Sequence, residues 1–143
     1  METNNIHLNK YIMYTFCVVV ICLMFFLAGF DKLLHFNKVV IGFTKRLFKL
    51  LPFIKQIPPM LFHLAIAIVI LIEIICPIII VHYSYYKQNY DLAKLACYIL
   101  LGFTILATLI YHFPPTGTTY YPFISNVTTC GAILLILYTL DYC

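Results

Sequence analysis

The chain has 143 residues, of which 64% are hydrophobic and 10% charged, with a mean hydropathy of +0.99 and a formal net charge of +4. That apolar content exceeds what a water-soluble core uses, which excludes an ordinary soluble enzyme or binding module. The positive charge does not indicate nucleic acid either. Of the 9 basic residues, Lys32, Lys38, Lys45, Arg46, Lys49 and Lys55 fall in one connection rather than over a soluble face.

The apolar residues occur in blocks of about 20, enough to cross hydrocarbon as helices at a rise of 1.5 Å per residue. A backbone in lipid must satisfy its own hydrogen bonds, and the blocks are too long and too uniformly apolar for β-barrel strands. The expected fold is all-α: one polytopic membrane domain over residues 1–143, built as a four-transmembrane-helix bundle with an amphipathic interfacial helix between the first two spans.

The first span is expected at about 11–30. It follows Lys10 as a secretory signal would, but it is longer than a signal core and lacks a polar small-residue cleavage site, so it reads as a retained helix. Cys22, Phe25, Gly29 and Lys32 lie on one stripe, with Gly29 small enough to admit a close neighbour.

The connection at 31–59 contains "NKVVIGFTKRLFKLLPFIKQIPP", which is not a polar loop. Val39, Phe43, Leu47, Leu50, Leu51 and Ile54 recur at helical spacing, with Lys38, Lys45, Lys49 and Gln56 toward another face. This pattern predicts a helix lying along the headgroups, with Lys38, Lys45, Arg46 and Lys49 meeting anionic lipid. Docking of a protein partner on the same apolar face is the alternative. Pro52 is expected to kink or end the helix, and Pro58 and Pro59 to open the next span.

That second span, at about 60–81, contains "LAIAIVILIEIICPIIIV" and places Glu73 near its centre. An ionised carboxylate there costs about 3 kcal/mol even on a lenient scale, so it must be protonated, paired or facing a wet cavity. Ile66, Val69, Ile70, Glu73, Cys76 and Pro77 share one face, which is expected to turn inward. Two roles for Glu73 remain open: a hydrogen bond to a neighbouring helix, or a proton or ligand site.

The tyrosine-rich "HYSYYKQNYD" reads as an aromatic belt at the water interface. The third span, at about 92–113, carries Thr104, Thr108 and His112 four residues apart, hence on one face, with packing as the expected role of the threonines. After the loop "HFPPTGTTYYP", the fourth span at about 122–140 carries Asn126 and Cys130 on an inward face. Asn126-Val127-Thr128 matches a glycosylation sequon but sits at the start of that helix, too close to the membrane to be used.

Alternating spans bring Asp31, Lys32, His35, His63 and His112 to one end of the bundle. His63 lies roughly 15 Å along the helix from Glu73, so Glu73 is expected to be too deep for a direct partner in that group, with a water-filled funnel joining them. His35, His63 and His112 have metal-ligand chemistry, but no spacing fixes a site and none is assigned. The positive-inside rule places the 31–59 connection in the cytoplasm and both termini across the membrane. The six cysteines form no CxxC pair, and five of them, all but Cys143, lie inside spans as small hydrophobes. No phosphate loop or nucleophile motif is present, so no catalytic residue is assigned.

Four segments together resemble the DoxX family of small four-helix membrane proteins. They are "FFLAGFDKLLHF", "PPMLFHLAIAIVILIEIICPIIIV", "LGFTILATLIYHFP" and "NVTTCGAILLI", covering the chain from about Met24 onward. The resemblance points to Gly29, Lys32, Glu73, His112, Asn126 and Gly131. It departs from the family where a "GG" often follows the glutamate and Ile74, Ile75, Cys76 and Pro77 stand here. It implies a small subunit associated with a quinone- or thiol-linked redox system, with quinone as the implied cofactor. A non-catalytic structural, assembly or adaptor protein of an endomembrane or enveloped particle is the alternative.

Overall fold

The structure, a computed structural model, describes residues 2–51 and 57–140, with side chains from residue 11 onward. Five α-helices follow in order: α1 (Glu2–Leu34), α2 (Phe36–Leu50), α3 (Pro59–Tyr86), α4 (Tyr90–Tyr111) and α5 (Tyr120–Leu140), with a 3-10 turn at Gly117–Thr119 before α5. Among the described residues, four segments are long and apolar enough to cross a membrane: Tyr11–Leu34, Pro59–Tyr86, Tyr90–Tyr111 and Gly117–Leu140. The chain is a multi-pass integral membrane protein, and no strand occurs among the described residues.

Helix ends follow local chemistry. Pro58 and Pro59 begin α3 as the sequence predicts, since proline fits the first helical turn, where its missing N–H has no intrahelical partner. The second span then runs past the predicted end at 81 as far as Tyr86, because the tyrosine-rich stretch contains no helix breaker. Lys87 and Asn89 stop it, with left-handed φ values of 55° and 62°. The Tyr11 hydroxyl donates to the carbonyls of Ser84 (2.8 Å) and Tyr85 (2.9 Å), which lie at the end of α3 where carbonyls lack intrahelical donors. The Lys87 ammonium lies 5.3, 5.3 and 5.4 Å from the rings of Tyr11, Tyr14 and Tyr83, so the aromatic belt also fastens the α1 start to the α3 end.

α3 is the centre of the bundle. It packs on α1 and on α4, and α5 packs on α4, whereas α1 and α5 meet only slightly. The inward face of α3 is the predicted one: Ile66, Ile70, Glu73, Cys76 and Pro77 are buried and Val69 is half-buried. Cys22, Cys76 and Cys97 join one core with Val18, Ile80, Leu100 and Ile133, and they form no disulfide among the described residues. Thr104 and Thr108 donate to the carbonyls of Leu100 (2.7 Å) and Thr104 (2.6 Å), so their hydroxyls are satisfied within α4 rather than across a helix interface.

α2 adds an intramolecular contact to the expectation for its apolar face. Part of that face folds back on the bundle, while Leu50 and Leu51 stay exposed and Ile54 lies outside the described residues. Val40 is buried with Phe62, Ile66 and Ile70 of α3, and the rings of Phe43 and Phe48 meet Phe62 edge-on at 6.3 and 5.6 Å. One side of the first half of α3, at Phe62, Ile66 and Ile70, is covered in this way, while Leu61, Leu64 and Ile68 face outward. Pro52 lies outside the described residues.

Arg46 is likewise turned inward. Its Nε donates to the Ile110 carbonyl (3.0 Å) and its Nη2 to the Tyr111 carbonyl (3.1 Å), closing the last turn of α4 with a cation at the negative end of the helix dipole. Arg46→Ala is expected to lower stability by about 2 kcal/mol, and Arg46→Lys to recover only part of it, since an ammonium cannot fork across two carbonyls. Thermal unfolding in detergent checks both.

Candidate functional site

A cavity of about 800 Å³ opens inside the bundle at the α2 end. α1 contributes Ala28 and Lys32, α3 contributes Glu73, α4 contributes Thr104 and His112, and α5 contributes Asn126. Its walls are mostly apolar, with ionisable groups contributed by α1, α2, α3 and the end of α4.

Glu73 is 3% exposed, and Lys32 reaches it directly. The Lys32 Nζ donates to Glu73 Oε1 at 2.8 Å and lies 2.8 Å from Oε2. Only the first contact has hydrogen-bond geometry, which leaves Oε2 as an ion-pair contact with a lone pair unfilled. Lys32 also donates weakly to the Ala28 carbonyl of its own helix, at 3.4 Å. The expectation that Glu73 lies too deep for the charged cluster is therefore corrected. Counting from predicted span ends misaligned the helices, because α1 continues to Leu34 and the early turns of α3 project beside α2 rather than beside α1.

Gly29 makes this approach feasible. A Cβ built on it would lie 2.9 Å from Glu73 Cβ, 3.0 Å from Ile74 Cγ1 and 3.4 Å from the Glu73 carbonyl carbon. α1 and α3 thus cross closely at Glu73, and Lys32, one turn beyond Gly29, lies over the carboxylate. The missing "GG" after the glutamate does not prevent close approach, because the small residue is on α1. Gly131 has no such role, since a Cβ there would meet nothing within 4 Å.

The remaining predicted residues separate into two groups. His112 and Asn126 line the cavity with Lys32 and Glu73, as do Asp31 and His35. The His35 Nδ1 lies 3.1 Å from Asp31 Oδ1, a pair exposed at the mouth. His63 is not part of the cavity wall: its Nδ1 lies 3.0 Å from the Pro59 carbonyl, and its ring sits beside Phe36. No three metal-ligating side chains come together among the described residues, so the geometry does not assemble His35, His63 and His112. Burial, reinforced by the nearby Arg46 guanidinium, holds the His112 imidazole below its ordinary value, which favours the neutral ring at the cavity edge.

Sequence reasoning missed Ser125, which lines the cavity beside Asn126; adjacent polar residues early in an apolar span were the available signal. It also missed the anchoring roles of Tyr11 and Arg46, whose targets are backbone carbonyls and leave no pattern in side-chain spacing. Comparison with family models, curated proteins and solved structures gave no match to this chain.

Proposed function

We propose that the protein is a DoxX-like membrane subunit of a redox system, and that its cavity holds the head of a quinone beside Lys32 and Glu73. The observation that carries this reading is a mostly apolar chamber within a membrane bundle with the Lys32–Glu73 ion pair on its wall. Its volume falls within the roughly 300–1,000 Å³ of small-molecule sites. An ammonium has three N–H donors; Glu73 and Ala28 take two, and the third suits a quinone carbonyl. Glu73 is the nearby group able to exchange a proton with a reduced ring. Of the quinone- and thiol-linked alternatives, the cavity supports the first, because no cysteine is among its lining residues.

The test is a long-chain quinone titrated into the detergent-purified protein, with bound quinone and melting temperature both recorded. The wild type should bind and be stabilised, and Glu73→Gln should bind markedly less. Unchanged binding by Glu73→Gln, with only its melting temperature altered, would make the carboxyl a structural group and remove this reading.

A second reading, a non-catalytic adaptor or assembly protein, draws on the outer face of α2. Lys45 and Lys49 are exposed there, whereas Lys38 is exposed at the cavity and Val40, Phe43 and Phe48 pack toward α3. Lys45 and Lys49 suit anionic headgroups, and the positive-inside rule would place them in the cytoplasm. Anionic nanodiscs should then stabilise the wild type over neutral ones, and a variant with Lys45 and Lys49 changed to Gln should lose most of that difference. Equal stability of the wild type in both would end the headgroup proposal.

A further inference from the structure

The slight contact between α1 and α5 leaves one side of the bundle open. A cleft of about 400 Å³ occupies that opening, lined by Ile21 and Met24 of α1 and by Ser125, Thr128, Thr129 and Ala132 of α5. Met24, Ser125 and Thr129 also line the main cavity, so the two spaces adjoin. A polar head at Lys32 therefore has a path for a tail that leads sideways between two membrane spans.

The chemistry of the path is graded. Thr128 and Thr129 donate to the carbonyls of Ile124 (3.0 Å) and Ser125 (2.9 Å), so their hydroxyls need no further partner. Together with Ile21, Met24 and Ala132 they form a surface suited to a hydrocarbon chain. Nearer the cavity, the side chains of Ser125 and Asn126 make no hydrogen bond among the described residues, although they lie in a segment apolar enough to span the membrane. Polar groups in such a place call for a polar occupant. Charge selects its kind: Lys32 and Lys38 on the cavity wall are balanced by Asp31 and Glu73, so an uncharged head is accommodated without a new buried charge.

We infer that the α1–α5 cleft is a lateral entrance from the bilayer for an uncharged amphiphile with a carbonyl-bearing head. The head lies between Lys32 and Asn126, and the tail runs out past Ile21 and Ala132. This rests on the reading of the cavity as a quinone site and adds the route, the orientation and the requirement for a tail.

The chain has no tryptophan, so single substitutions give local fluorescent reporters. Phe103→Trp reports the cavity, with Leu106→Trp as a second cavity reporter should the first not fold, because both positions line it. Ile21→Trp reports the cleft, and Ile78→Trp, on the exposed face of α3, reports quenching from bulk lipid. Counted from the Gly29–Glu73 crossing, Ile21 and Ile78 lie within one helical turn of the same depth. With the 143-residue chain in vesicles, a long-tailed quinone should quench the cavity and cleft reporters at several-fold lower mole fraction than Ile78→Trp. A tail-less quinone should quench the cavity reporter alone. Quenching of the cavity reporter by the long-tailed quinone, with Ile21→Trp no different from Ile78→Trp, would overturn the lateral route while leaving the quinone site intact. No reporter exceeding Ile78→Trp would overturn both.

Discussion

Lys32→Met is expected to destabilise the protein by about 3 kcal/mol, because it strands a carboxylate that lies 96% out of solvent, in a bundle with no second cation paired to it among the described residues. Glu73→Gln should cost less. The Lys32 side chain is 27% exposed along the cavity, and its ammonium retains access to water when its partner is neutralised. Replacing both residues with Met should recover most of the Lys32→Met loss, since the desolvation cost disappears with the charges. Equilibrium unfolding of the two single variants and the double variant in detergent checks this. A double variant as unstable as Lys32→Met would mean that the pair contributes through packing rather than charge.

Gly29→Val carries the next largest effect. The added Cβ would lie 2.9 Å from Glu73 Cβ, and the nearby Glu73 backbone cannot rotate out of its way, so α1 and α3 must separate. Overpacking of this kind costs about 1–3 kcal/mol. Gly29→Ala is the sharper comparison. Its gain in helix propensity is about 1 kcal/mol, so a net loss would show that the close crossing outweighs backbone entropy. Gly131→Ala meets open space and should be neutral or stabilising. Melting temperatures of the three variants check the ranking, and a stabilised Gly29→Ala would contradict the close crossing.

The fold was readable because its main determinant is one-dimensional. Apolar runs of bilayer length recur four times, and their centres can be identified without knowing which helices touch. The inward face of α3 was readable for a related reason: Glu73 and Pro77 are poorly suited to a lipid-facing surface, and with Cys76 beside them they mark the face that packs. Depth between helices was not readable. Lys32 and Glu73 pair because α1 and α3 cross at Gly29 with their ends offset, and nothing in either segment alone sets that offset.

The destination of the α2 apolar face was hidden in the same way. An amphipathic pattern states that a face is covered, and headgroups, a partner and the protein's own bundle all satisfy it equally. What decides is the uncovered apolar surface on the first half of α3, together with the free carbonyls at the end of α4 that Arg46 meets. Of the site, Glu73, Lys32, His112 and Asn126 were legible as polar residues in unfavourable surroundings. A funnel joining them at this end was expected, whereas the helices that wall it, and the gap where α1 and α5 touch little, were not readable.

The most direct test of the cavity as a ligand site is photolabelling of the membrane-embedded protein with a long-chain quinone carrying a photoreactive group on its ring, followed by mass spectrometry of the labelled peptides. Labels should concentrate on the cavity-lining parts of α1, α4 and α5, around Ala28, Phe103 and Asn126, and be displaced by excess unlabelled quinone. Labels spread over the lipid-exposed face of α3, at Leu64, Ile68 and Leu71, with no displacement, would contradict it.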